Sequence, residues 1–299
     1  MCSIHLIHLK PFEYFEPATV KEAADLLNTY GSKAQILAGG IDLIPRMRSG
    51  SIEADYVINI QKIPELSYFK FDESKGLEFG AMTSLRFLET SKVLKDVYPA
   101  LQQAIHQITS VQSKYIGTAV GNLCVATPAS DVATALMAYD AKLTIEGTNG
   151  QRKEKLSDFY LDYRVTSLKK GELVTGVFIP KPAKGTGAAF MNRVRTHADI
   201  AKITVAVVIE VEGDICREAR IALGAVAPTV VRATSAEELL RNKKIDDGLI
   251  QKAAETSVAH AKPITDIRST AEYRTEMTRV LVRRALQKAF DRARGGKHE

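Results

Sequence analysis

The chain has 299 residues, 45% of them hydrophobic and 25% charged, with a formal net charge of +6. That length favours two domains over one large one, and the balance predicts ordinary hydrophobic cores able to form without disulfides or a structural metal. The composition excludes a membrane span, since no run approaches the ~18 apolar residues required, and three scattered cysteines (Cys2, Cys124, Cys216) exclude a four-thiolate iron–sulfur cluster or a CxxC metal site.

Met1 to His8 lacks the basic and apolar regions of a signal peptide, so a cytoplasmic location is expected. Thr19-Val20-Lys21-Glu22 reads as a capping box opening a helix that stops at Gly31. A short strand, Gln35 to Ala38, then runs into Gly39-Gly40, and Tyr56 to Ile60 is a second strand rich in β-branched residues. Ser67 to Phe71 and Leu77 to Phe79 flank a hairpin loop, and helical stretches follow at Ser84 to Ser91, Ala100 to Ile108 and Val132 to Asp140. Ala141 to Glu146 and Gln151 to Leu156 form a hairpin around Thr148-Asn149-Gly150, and Leu173 to Ile179 is a further strand.

The Pro-, Gly- and Lys-rich stretch Pro180 to Gly187 is the expected domain boundary. Beyond it, Ile203 to Val211 and Ile215 to Leu223 pair around Gly213-Asp214. Three helices complete the chain: one capped by Ser235 with Glu238, one from Asp246 to Ala261, and one from Ser269 to Ala293 with Tyr273, Met277, Val280 and Leu281 on one face. Near the end, Arg279, Arg283, Arg284, Lys288, Arg292, Arg294 and Lys297 carry much of the positive charge. They read as a solvated helix face and not as a nucleic-acid surface.

Two segments suggest chemistry. A strand ending in Gly-Gly, as at Leu37-Ala38-Gly39-Gly40-Ile41-Asp42, lets successive backbone amides converge on an anion because no Cβ intervenes. Asp42 would repel a phosphate and is expected to accept hydrogen bonds from loop amides or a ribose hydroxyl. The second segment, Thr118-Ala119-Val120-Gly121-Asn122, combines small residues with a hydroxyl and an amide; Ser130-Asp131 follows closely. Alone, the first segment reads more readily as an ordinary tight turn, and the second equally well as a glycine-rich core crossing. No Walker A or GxGxxG sequence occurs, no acid/base set stands out, and no catalytic residue or metal ligand is assigned. His5 and His8 read as part of an N-terminal arm, and Cys124 as a buried small hydrophobe.

Together the two segments resemble those of the FAD-binding medium subunit of the molybdenum hydroxylases, the family of carbon monoxide dehydrogenase and xanthine dehydrogenase. Phe79-Gly80-Ala81-Met82-Thr83, Ala135 to Ala141, Gly171 to Thr175, Asp199-Ile200-Ala201, Gly224 to Pro228 and Arg232-Ala233 extend the resemblance in order along nearly the whole chain. It implies an α+β protein: a split, two-lobed FAD-binding domain of the vanillyl-alcohol oxidase (PCMH) type over residues 1–180, with lobes of about 1–60 and 61–180, followed by a smaller α+β domain over 188–299. It also implies an FAD site built from Leu37, Ala38, Gly39, Gly40, Ile41, Asp42, Thr118, Ala119, Val120, Gly121, Asn122, Ser130 and Asp131, with Leu173 and Val174 near the flavin ring. Electrons would arrive from a large molybdopterin-cofactor subunit (molybdenum or tungsten) through two [2Fe–2S] clusters on a small subunit. They would leave to NAD or another acceptor within a dimer of heterotrimers. A self-sufficient flavin oxidase or dehydrogenase and a non-enzymatic scaffold are the alternatives. The chain departs from the family pattern at Val120, where glycine is usual, at Ile41, at Lys114-Tyr115 and at Met191.

Overall fold

The structure, a computed structural model, describes residues 9–108, 110–196 and 199–295; Cys2, His5, His8, His197 and Lys297 lie outside them. The chain opens with a three-stranded parallel sheet, β1 (Glu13–Phe15), β2 (Ala34–Leu37) and β3 (Tyr56–Asn59), in the order β1-β3-β2. Helix α1 (Val20–Tyr30) connects β1 to β2. Its N-cap is Thr19, whose hydroxyl accepts from the Glu22 amide, while Glu22 reaches back to the Ala18 amide and Gly31 ends the helix at φ 55°. Helix α2 (Leu43–Arg48), not anticipated from the sequence, follows β2 directly.

A five-stranded antiparallel sheet comes next. Its strands β4 (Phe69–Asp72), β5 (Gly76–Gly80), β6 (Lys142–Gly147), β7 (Gly150–Lys155) and β10 (Leu173–Pro180) lie in the order β4-β5-β10-β6-β7. The β6–β7 turn is Thr148-Asn149, one residue earlier than Asn149-Gly150, because Gly150 pairs with Gly147 and itself takes φ 106°. Between β5 and β6 lie α3 (Leu85–Thr90), α4 (Lys92–Val97), α5 (Pro99–Gln107), α6 (Val111–Ile116), α7 (Ala119–Cys124) and α8 (Asp131–Ala138). Between β7 and β10 come α9 (Leu156–Phe159) and a two-stranded ribbon, β8 (Tyr160–Asp162) with β9 (Val165–Thr166).

The remaining strands, β11 (Thr186–Arg193), β12 (Ile203–Glu212), β13 (Ile215–Gly224) and β14 (Val231–Arg232), form a second antiparallel sheet in sequence order. Nearly every residue of β12 is buried, and the period-2 alternation of side chains explains it. Ala206 and Val208 join the core shared with α5 and α8, while Val205, Val207 and Ile209 join a separate core under the C-terminal helices. A strand covered on both faces reads as a continuous apolar run.

Those helices are α10 (Thr234–Leu240), α11 (Asp247–Ser257) and α12 (Ala271–Ala293). Three expectations need correction here. Ser235 is not a cap: it lies inside α10, and its hydroxyl meets His260 Nε2 at 2.7 Å. The last helix is capped by Thr270, and its buried stripe runs through Arg274, Thr278, Leu281, Val282 and Ala285, leaving Tyr273, Met277 and Val280 at the margin. The terminal basic residues are not uniformly solvated, because Arg292 is buried and donates to the Ala188 carbonyl at 2.6 Å. No helix among the described residues is long and apolar enough to cross a membrane.

Candidate cofactor site

The first loop leaves the edge of the parallel sheet. The Leu37 carbonyl accepts from the Ile60 amide and the Ala38 carbonyl from Gln61 Nε2, which pins the start of the loop to the segment after β3. Gly40 then takes φ 71°, a left-handed conformation that a Cβ would disfavour. From Gly39 through Asp42, no backbone amide donates a hydrogen bond to another of the described residues. Four consecutive amides without acceptors are unusual in a folded protein, and their arrangement suits an anion with several oxygens. Asp42 does not bond to loop amides as the sequence suggested; its carboxylate lies 3.2 Å from Arg46 Nη1 and 3.6 Å from Arg164 Nη1.

The second loop is not a loop in the structure. Thr118 is the N-cap of α7, its hydroxyl accepting from the Gly121 amide at 2.9 Å, so Ala119, Val120 and Gly121 form the first helical turn. The Ala119 amide donates to the Thr83 carbonyl, which leaves the Val120 amide as the unpaired donor of that turn. The Val120 side chain is buried in the main core. Valine in place of the usual glycine therefore contributes packing on one side and its amide on the other.

Glycine is required where the loops meet. A Cβ on Gly39 would stand 2.2 Å from the Ile116 carbonyl oxygen and 2.9 Å from Gly117 Cα, so the two backbones interlock. The residues before Thr118 are held by a buried charge cluster that the sequence did not reveal. Glu89 and Lys114, each almost fully buried, pair at 2.6 Å, and Arg86 Nη1 and His106 Nδ1 contact the same carboxylate at 2.8 and 2.9 Å. Burial opposes ionisation of Glu89, but hydrogen bonds from Lys114, Arg86 and His106 outweigh it and hold its pKa below the ordinary value.

Ser130 caps α8 and donates to Asn122 Oδ1, joining α7 to α8. Asp131, the first residue of α8, has a buried Oδ1 with no hydrogen-bond partner, and burial pushes its pKa up to about 7. An orphaned acceptor at the start of α8, taken with a row of orphaned donors in the first loop, matches a ligand that carries both phosphates and hydroxyls. Leu173 and Val174 are buried in the main core on β10, against which α7 packs. Ile41 is 46% exposed at the mouth. Cys124 keeps an exposed surface, contrary to expectation, yet surrounding protein pushes its thiol up to about 12, so it stays protonated at neutral pH. Among the described residues, no group of three or more His, Cys, Asp or Glu side chains could hold a metal ion.

Residues 10–182 match the family described as the FAD binding domain in molybdopterin dehydrogenase, and residues 188–289 match the CO dehydrogenase flavoprotein C-terminal domain. The chain belongs to the FAD-binding medium subunits of the molybdenum hydroxylases. It is 34% identical over 281 residues to the carbon monoxide dehydrogenase medium chain of Hydrogenophaga pseudoflava, covering 94% of this chain and 98% of that one. The solved carbon monoxide dehydrogenase from that organism, in a form lacking the Mo-pyranopterin moiety, superposes with a TM-score of 0.92 over 95% of this chain and 99% of that one. The xanthine dehydrogenase FAD-binding subunit of Escherichia coli O157:H7 is 27% identical, covering 95% of this chain and 97% of that one. Family membership makes this chain a flavoprotein oxidoreductase subunit with the two-lobed FAD-binding fold. The unpaired amides, the interlocked glycine and the orphaned Asp131 oxygen fit the cofactor that the family implies.

Proposed function

We propose that this chain binds one FAD between the first loop and α7 and serves as the electron-transfer subunit of a molybdenum or tungsten hydroxylase complex. In that complex it relays electrons from [2Fe–2S] clusters on a small subunit to NAD or another acceptor, and substrate is oxidised on a large molybdopterin-cofactor subunit. The observation that carries the reading is the run of unpaired amides from Gly39 to Asp42, in a loop whose Gly39 packs against Ile116 and Gly117 just before α7.

Bound FAD supplies the redox chemistry, and the protein's share is binding and orientation. The amides of Gly39, Gly40, Ile41, Asp42 and Val120 would hold its phosphates without needing a side-chain cation from either motif. Asn122 and Asp131 would accept hydroxyl hydrogens. Leu173 and Val174 would back the flavin end of the site as part of the apolar core. The family relatives named as medium chains support large and small partner subunits for this chain.

The test is purification of the complex from its native host, with flavin quantified and partner chains identified by mass spectrometry and metal analysis. One FAD per chain with molybdenum or tungsten, iron and two companion subunits is expected. Turnover of an organic substrate by this chain alone would overturn the relay role.

A further inference from the structure

We propose that Arg164, which belongs to neither loop motif, is a positioning cation for the phosphates of the bound cofactor. The inference rests on FAD binding at the two loops and adds to it a third element, the β8–β9 ribbon.

Three features of Arg164 point the same way. The ribbon pairs Asp162 with Val165, so Tyr163-Arg164 is a two-residue turn, and Arg164 sits in it at φ 58°. That left-handed position normally takes glycine or asparagine, and a long side chain there carries backbone strain. The strained turn is tied to the second motif, because the Arg164 amide donates to the Ala126 carbonyl at 2.9 Å. Ala126 lies just beyond α7 and is itself left-handed at φ 51°.

The side chain points back to the first loop. Its Nη1 is 3.6 Å from Asp42 Oδ2, too far for a hydrogen bond, and this nitrogen is buried without any hydrogen-bond partner. The Asp42 oxygen it approaches already accepts from Arg46 Nη1 at 3.2 Å. One carboxylate thus lies between two guanidinium groups, leaving a net positive charge beside the four unpaired amides. Nε is taken by Tyr163 Oη at 3.2 Å, whereas the side chain as a whole remains 29% exposed, so part of the donor fork is open to a ligand.

A residue that accepts both a strained backbone and an unfilled buried donor breaks two local rules at one position, as happens where function compensates. A planar fork of donors suits phosphate oxygens in particular. The Arg164 backbone is tied behind α7 while its side chain reaches the first loop. It is therefore placed to hold the two halves of the site around an anion.

The experiment uses the full-length chain, freed of flavin and titrated with FAD at low and high salt, with flavin fluorescence as the readout. Thermal melting is followed in parallel. Arg164→Gly removes the charge while relieving the positive φ, so it should melt no lower than the unaltered chain yet bind FAD 10- to 100-fold more weakly, with a smaller salt dependence. Arg164→Lys should recover part of the affinity, through its charge.

FAD affinity within threefold of the unaltered chain in Arg164→Gly would overturn the proposal. So would an Arg164→Lys chain that binds FAD no better than Arg164→Gly, which would make the guanidinium a structural bridge and not a charge that holds phosphate. Failure of the unaltered chain to bind FAD would instead refute the cofactor reading itself.

Discussion

Replacing Gly39 by alanine tests the interlocked backbones directly. The added Cβ would lie 2.2 Å from the Ile116 carbonyl oxygen, 2.8 Å from its carbon and 2.9 Å from Gly117 Cα. All three contacts are with backbone, so no side chain can rotate away. Restoring an ordinary van der Waals separation requires the first loop and the segment before α7 to part by roughly 1 Å. Overpacking of this kind costs about 1–3 kcal/mol, equivalent to a melting temperature lower by roughly 3–10 °C. The same shift takes donor–acceptor distances near 2.9 Å out of hydrogen-bonding range. Losing two amide contacts to a charged phosphate, at about 1.5 kcal/mol each, weakens FAD about 100-fold. The assay is FAD titration of the apo chain, with Gly213→Ala as a control, because Gly213 has no neighbour within 4 Å of its Cβ position, although its φ of 62° adds a backbone strain that Gly39 lacks. FAD affinity in Gly39→Ala equal to that of the control would refute the reasoning.

Val120→Gly should leave FAD affinity within a few-fold, since the backbone amide is the group offered; it should also destabilise the chain by ~2–4 kcal/mol, through lost burial and helix propensity, measured by denaturant unfolding. Asp131→Asn should remove a pH dependence of the apo form. The raised pKa of Asp131 means that the unfolded chain releases its proton first, so stability falls between about pH 4 and 7 by up to ~4 kcal/mol. Melting at pH 5 and pH 8 should therefore diverge less in the variant than in the unaltered chain. Glu89→Gln should cost ~3–5 kcal/mol at neutral pH by leaving Lys114 buried without its carboxylate. Because the Glu89 pKa is lowered, its stabilisation is present at neutral pH and is lost as the pH falls below 4.5 through the folded value; the variant should lack this acid-side loss in melting curves.

Much of the fold was legible where local chemistry decides it. The Thr19 cap, the Gly31 stop, the β12–β13 hairpin and the helix capped by Asp246 all rest on side-chain-to-backbone bonds or periodicity within a few residues. The two motifs were legible as segments, but their conformations differ. Gly39-Gly40 makes a true loop, whereas Thr118 to Asn122 winds into a helix because a threonine hydroxyl meets the amide three residues on. Val120 looked like a defect because a missing glycine suggests a blocked backbone; only the fold shows its side chain turned into the core. Ser235 misled for a related reason: its apparent cap lost to His260, a partner 25 residues away. Arg164 and Glu89 were invisible. Their roles come from contacts across 122 and 25 residues with Asp42 and Lys114, and neither carries a local signature.

Flavin content measured against chain concentration in the gently purified native complex tests the central claim most directly. One FAD per chain is expected, held through gel filtration and lost or strongly weakened in Gly39→Ala. A complex that contains its metal cofactors and partner subunits but no flavin on this chain would contradict it.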